Sequence, residues 1–116
     1  MINVPHYMDG YFDLYRVEES EEGDYPVEVL KNQDMRIYYR EIAVFDKLRF
    51  ELKQGGKEVT LKVRIPRYEK IDSHCHCLID GIFHEVYNAA HIINKDGWPE
   101  TELTLVAPEK NREVKE

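Results

Sequence analysis

The most regular pattern along the chain is the alternation of aliphatic and polar residues over 59–65. This period of two is typical of a strand with one side facing solvent. Pro66 ends the strand because proline has no N–H to donate to a sheet. Shorter or less regular patterns predict further extended segments at 11–17, 27–30, 35–44 and 101–106.

A β-hairpin is predicted at 74–88. Cys75, Cys77 and Ile79 recur at every second position, and Asp80-Gly81 suits the positive φ angles of a tight two-residue turn. The returning strand is expected to run on to Ile93 and to be followed by a turn at 94–97.

The segment 35–44 has no polar face. Tyr38, Ile42 and Val44 share one side, and the opposite side contains Ile37, Tyr39 and Ala43. This pattern favours burial on both sides or contact with a partner.

A short helix is predicted over 45–53. Phe45, Leu48 and Leu52 are spaced three and four apart, as on one helical stripe, and Gly55-Gly56 supplies the stop. Such a stripe favours a core face, so Phe45 is predicted to be buried. Phe50 lies off the stripe and is predicted to be an interface residue.

Two segments are predicted to lack packed structure. The acidic run at 18–24, within a predicted loop 18–25, is expected to be solvated because its carboxylates repel one another and have low β propensity. The polar tail 107–116 is expected to be frayed.

Trp98, beside Pro99, is either a lid on the core or an anchor for a partner.

The length of 116 residues indicates a single domain over 1–116. Although 34% of residues are charged, Leu, Ile, Val and Phe make up 31 of 116, enough for a folded core. We therefore expect a mainly β domain, a small antiparallel barrel or sandwich-like fold with at most one short helix and long loops.

The charge balance bears on which partners the protein can bind. With 23 acidic against 16 basic residues the net charge is −7, which disfavours adhesive binding of DNA or RNA. An acidic surface would suit a protein that DNA slides past, since like charges repel. The start has no signal-peptide pattern and the chain has no apolar run that could span a membrane. We expect a protein made and used in the cytosol or inside an assembly.

Residues 71–77, Ile-Asp-Ser-His-Cys-His-Cys, are similar to the IDxHxH box of metal-dependent hydrolases of the TatD type. His74 and His76 have equal parity on a strand, so both imidazoles could bind one metal and activate its water. That family, however, builds its site in a (β/α)₈ barrel of about 250 residues. The chain is too short for that fold.

A zinc site made of Cys75, Cys77, His84 and His91 is the other metal hypothesis. Both thiols of a C-x-C strand point to one side, but His74 and His76 then leave on the other. The favoured alternative is a pair of reduced core thiols flanked by surface histidines. We find no phosphate-binding loop, nucleophile elbow or spaced carboxylate pair, so we predict a protein that is not an enzyme and needs no cofactor.

Taken in order, residues 37–106 resemble the phage head-tail adaptor family, also called head closure or stopper proteins. The family's pattern is a strand ending in R-I-x-x-Y, then a strand, a D-G turn and an aromatic strand, and a final E-L-x-L strand. The segments that match are Ile37–Val44, Phe45–Leu52 followed by Gly55-Gly56, Val59–Tyr68, Leu78–Tyr87 and Thr101–Leu105. The acidic insertion near residue 20 and the Ser-His-Cys-His-Cys run depart from the pattern.

The resemblance implies a structural virion protein that joins the DNA-filled head to the tail of a phage or prophage and helps to close the head. It implies a twelvefold ring that contacts the portal or connector on one side and a tail completion or tail terminator protein on the other. DNA would pass through the ring without sequence-specific binding. The protein would be made in the bacterial cytoplasm and act at the head–tail interface of the virion. The predicted interface residues are Phe50, Trp98, Tyr38 and Tyr39.

Overall fold

A computed structural model describes residues 4–21, 23, 25–109 and 112–115 of the chain. These residues form seven strands and one helix, in the order β1 (Gly10–Ser20), β2 (Val27–Glu41), α1 (Asp46–Gln54), β3 (Val59–Pro66), β4 (Cys75–Ile79), β5 (Ile82–Ile93), β6 (Pro99–Val106) and β7 (Glu113–Lys115). The predicted fold class, mainly β with one short helix, is confirmed. Within the described ranges, no helix is long and apolar enough to span a membrane.

Six antiparallel strands close in a ring. Their order is β1-β4-β5-β6-β3-β2, and β2 pairs back onto β1. The seventh strand, β7, adds to β2 in parallel. Closure lets one face of each strand turn toward a common core, whose buried members are Phe12, Leu14, Tyr39, Val63, Ile65, Ile71, Cys75, Cys77, Ile79, Val86, Leu103 and Leu105.

The β4–β5 hairpin confirms the turn predicted from Asp80-Gly81. The two residues have φ angles of 50° and 78°, and Ile79 pairs with Ile82 on either side of them. Glycine and aspartate tolerate this left-handed backbone, which matches the twist of the flanking strands. The returning strand ends at Ile93, as predicted.

The two strands predicted at 27–30 and 35–44 are one continuous strand, β2, which ends at Glu41 instead of Val44. The polar run between the two predicted strands forms a local irregularity within β2. There Asp34 has a φ of 54° and its N–H donates to Asn32 Oδ1 at 2.8 Å. This local bond replaces the regular pairing, and the register with β1 shifts between Asp13 and Tyr15.

The prediction that residues 18–25 form a solvated loop is wrong for its first three residues. Residues 18–20 belong to β1 and pair with the 27–29 segment of β2. Backbone pairing with this segment outweighs the low β propensity of Glu18 and Glu19. Lys31 Nζ also lies 3.9 Å from Glu18 Oε2. The predicted loop also includes residues 22 and 24, which lie outside the described part of the chain.

The frayed tail predicted at 107–116 is wrong for residues 113–115, which form β7 beside residues 29–31. Arg112 fixes this segment through an ion pair of 2.9 Å with Glu28. Residues 110, 111 and 116 of the predicted tail lie outside the described ranges.

Tyr39 is predicted as an interface residue, and this is wrong because its side chain is only 6% exposed and packs in the core. Its ring stacks against Phe12 at a centroid distance of 6.3 Å. The ring also lies against Gly10, where an added Cβ would come within 2.6 Å of the Tyr39 hydroxyl. Glycine at position 10 therefore makes room for the buried tyrosine.

A buried carboxylate links the N-terminal segment to one end of the ring. Glu100 is fully buried and accepts hydrogen bonds from Arg40 Nη2 (2.8 Å), Asn94 Nδ2 (2.7 Å) and the Tyr7 hydroxyl (2.9 Å). Burial alone would raise the pKa of Glu100, but these three donors lower it below its ordinary value. For Tyr7, burial and the nearby carboxylate raise the pKa to about 12.

Candidate interaction surface

The Cys-x-Cys strand places both thiols in the core, as predicted. Cys75 and Cys77 are buried and free of disulfides, and burial raises the pKa of each thiol. A thiol with a raised pKa stays protonated at neutral pH, which is the unreactive form. Cys77 therefore acts as a small apolar side chain, whereas the Cys75 sulfur also accepts a hydrogen bond from Arg16 Nη1 at 3.5 Å.

Of the predicted ligands, His84 lies directly opposite Cys77 on the paired strands β4 and β5, and His91 lies seven positions farther along β5. His74 is exposed in the turn before β4, whereas His84 and His91 form side-chain hydrogen bonds with Thr60 (2.7 Å) and Thr101 (2.9 Å). In the part of the chain that the structure describes, no group of three or more His, Cys, Asp or Glu side chains is arranged to hold a metal ion. The sequence hypotheses for a hydrolase or zinc centre gain no support from this geometry.

His76 is not a surface histidine, which corrects the prediction. The side chain is 1% exposed, and neither ring nitrogen has a hydrogen-bond partner among the described residues. Burial lowers its pKa to about 4, and the positive charge of nearby Arg112 adds to the effect. Its cross-strand neighbours are Tyr15 on β1 and Glu85 on β5.

The helix α1 is formed by local signals. Asp46 lies in the first turn and Lys53 in the last, where each charge is favourable for the helix dipole. At the C-terminus, the Gly56 N–H bonds to the Lys53 carbonyl at 3.0 Å, and Gly56 takes a φ of 82°. The predicted helix and its glycine stop are confirmed.

This helix is loosely attached to the sheet. None of its residues is buried, and Leu48 and Leu52 are only half-buried. One contact that fixes it is a hydrogen bond of 3.0 Å from Arg49 Nη1 to the Val59 carbonyl. The prediction that Phe45 belongs to the core is wrong, because Phe45 is 74% exposed. Phe45 is the N-cap residue and lies before the first helical turn. Its side chain therefore does not share the predicted stripe with Leu48 and Leu52.

The helix leaves an open surface around Phe50, which we call the helix face and define by Phe50 and the groove beside it. Phe50 is 63% exposed. It borders a groove of about 770 Å³ between α1 and the start of β3, whose lining also includes Arg49, Lys53 and Val59. Aromatic side chains exposed beside cations are typical of protein interfaces.

A second open surface lies where β2 passes the end of β3. We call it the Tyr–Arg groove; it has a volume of about 340 Å³ and is lined by Met35, Arg36, Ile37, Tyr38, Pro66, Arg67 and Tyr68. Tyr38 is 56% exposed, so the described part of the chain leaves the segment 35–44 open at this residue. Tyr and Arg are enriched among residues that dominate binding energy.

Neighbouring side chains hold this groove in shape. Tyr38 packs on Tyr11 at a centroid distance of 5.7 Å, and the Arg36 guanidinium lies 4.1 Å from the centre of the Tyr11 ring. Arg36 also pairs with Asp13 at 3.0 Å. No sequence pattern marks Tyr11 or Arg36 as part of a surface. Tyr11 is the cross-strand partner of Tyr38, and Arg36 lies two positions before Tyr38 on the same face of β2.

Trp98, also a predicted interface residue, is half-buried at the turn before β6. Its indole N–H is buried without a hydrogen-bond partner among the described residues. Its backbone N–H donates to Asn94 Oδ1 at 3.0 Å. Tyr38 and Phe50 lie at the surface in two different grooves, and Trp98 lines neither of these two.

Comparison of the sequence with models of known protein families finds no match, and no curated protein matches it either.

Proposed function

We propose that this protein is a structural component of a tailed phage or prophage virion that joins the DNA-filled head to the tail. The observation that carries the proposal is the placement of the ordered motifs. The Val59–Tyr68 motif starts on β3, the Asp80-Gly81 turn joins β4 to β5, and the Glu-Leu-Thr-Leu motif lies on β6. These four strands are consecutive neighbours in the sheet, in the order β4-β5-β6-β3. The motifs therefore describe one continuous part of the fold.

The two open surfaces support a role in assembly. The helix face and the Tyr–Arg groove expose aromatic side chains that the described residues leave uncovered. A ring built by one repeated heterologous contact would bury such surfaces. Further surface would be buried by contacts with the portal or connector and with a tail completion or terminator protein. The net charge of −7 would let DNA pass through the ring without adhering to it.

Deletion of the gene from its phage or prophage tests the proposal. We expect DNA-filled heads and free tails to accumulate separately, and joined particles to return when the wild-type gene is supplied in trans. Electron microscopy of the lysates counts the three species. Joined particles in normal numbers after deletion would contradict the proposed function.

A further inference from the structure

The far end of the β1–β2 hairpin is acidic and exposes apolar side chains. We define this hairpin end by Glu19, Glu21, Tyr25 and Val27; Tyr25 is 78% exposed. Glu19 pairs directly opposite Glu28 on the neighbouring strand, and like charges placed this way repel each other. Arg112 compensates Glu28, but Glu19 and Glu21 have no ion pair within the described ranges. This end of the hairpin would be stabilised by a partner that offers cations and an apolar surface.

The Tyr–Arg groove has these properties. Its lining contains two arginines, two tyrosines, a methionine and no carboxylate, in a chain that has more acidic than basic residues. Arg36 is compensated by Asp13, whereas Arg67 donates to the neutral Ile92 carbonyl at 2.6 Å. The positive charge of Arg67 is therefore not balanced by a carboxylate in the described part of the chain.

The groove and the hairpin end belong to the same long strand, β2, but lie near its opposite ends. Tyr38 lies eleven positions after Val27 on that strand, which corresponds to roughly 35 Å of extended chain. Both strands of the hairpin are paired along this length, so the hairpin end does not reach its own groove. A second copy of the chain can supply the missing partner.

We infer that the hairpin end of one copy docks in the Tyr–Arg groove of the next copy. The contact joins two different surfaces, so it is heterologous, and a heterologous contact builds a ring when the rotation that repeats it closes. The inference rests on the proposed function, because the ring in which this contact would operate is part of that proposal. The contact itself can be tested with the purified protein alone.

Charge reversal tests the contact. Sedimentation velocity at low salt and rising protein concentration measures self-association of the wild type and of the variants Arg67→Glu and Glu21→Arg. Each single variant is expected to associate about tenfold more weakly, because an attraction becomes a repulsion. The matched controls Lys95→Glu and Asp96→Arg reverse exposed charges outside the Tyr–Arg groove and the hairpin end and are expected to associate like the wild type.

Mixing gives the decisive result. In an equimolar mixture of Arg67→Glu and Glu21→Arg chains, every contact between unlike chains pairs opposite charges, so association is expected to return. A chain with both substitutions should also associate with itself. A wild-type protein that stays monomeric over the whole concentration range would overturn the inference, and so would two weakened variants that fail to rescue each other.

The aromatic part of the contact has its own test. Tyr25→Ser and Tyr38→Ser are expected to weaken association, whereas Ile82→Ser, at a similarly exposed site on β5, is expected to leave it unchanged. Melting temperatures of all three variants check that each chain is folded. Loss of association with Ile82→Ser alone would contradict the assignment of the surface. Because these assays contain no phage component, their outcome is independent of the particle counts that test the proposed function.

Discussion

The buried imidazole of His76 should make the protein sensitive to mild acid. Its pKa is about 4 in the folded chain, whereas an ordinary histidine titrates near 6.5. Below pH 6.5 the unfolded chain therefore binds a proton that the folded chain does not, and stability falls as the pH falls toward 4. From these two pKa values, the free energy of unfolding is expected to decrease by about 2 kcal/mol between pH 7 and pH 5, and by about 3 kcal/mol by pH 4.

Urea unfolding of the wild type and of His76→Leu at pH 7, 6 and 5 measures this effect. The leucine variant has no titrating group at this position, so its stability should depend less steeply on pH. It is also expected to be at least as stable as the wild type at pH 5, because it leaves no unpartnered polar atom in the core. His74→Gln, which changes an exposed histidine two residues away, serves as the control and should keep the pH dependence of the wild type. Parallel curves for the wild type and His76→Leu would refute the argument.

Four further outcomes are expected. Phe45→Ser and Phe50→Ser should both have melting temperatures close to that of the wild type, because both side chains are exposed. Phe50→Ser should also abolish head–tail joining. A large drop in the melting temperature of Phe50→Ser would show that Phe50 is a core residue instead. Glu100→Gln should lower the free energy of unfolding in urea by about 2 kcal/mol, since Arg40 loses its buried carboxylate partner. Amide hydrogens of residues 18–20 that pair with β2 should exchange more slowly than those of the turn that follows, and equal rates would contradict the strand pairing. Elemental analysis of purified protein should find less than stoichiometric zinc and a chelator should leave the melting temperature unchanged; one tightly held zinc per chain would favour the metal hypothesis.

Local sequence signals predicted those elements that depend on a few neighbouring residues. The Asp80-Gly81 turn needs only two residues that tolerate a positive φ, and the end of α1 needs only Gly55-Gly56. The alternation over 59–65 gave the correct buried face of β3 because that strand has one covered side. In each case the physical cause lies within a few residues of the pattern.

Elements that depend on distant pairing were predicted poorly. The polar residues in the middle of β2 resemble a turn, but β1 pairs with the strand on both sides of them and keeps it continuous. The acidic residues at 18–20 have low β propensity, yet their backbone bonds to β2 hold them in a strand. The C-terminal residues 113–115 are ordered by a parallel pairing with a strand more than eighty positions earlier. No local window contains this information.

The same limit applies to the surfaces. Alternation along a strand shows which side chains share a face, but it does not show what covers that face. His76 and Tyr38 each lie next to a core residue along a strand. Alternation therefore assigns both side chains to the face that points away from the core. The chain excludes solvent almost completely from His76, beside Arg112 of the C-terminal segment, whereas it leaves Tyr38 more than half exposed. An aromatic that remains exposed after every described segment has packed is therefore a stronger indication of a partner than the same aromatic in a sequence pattern.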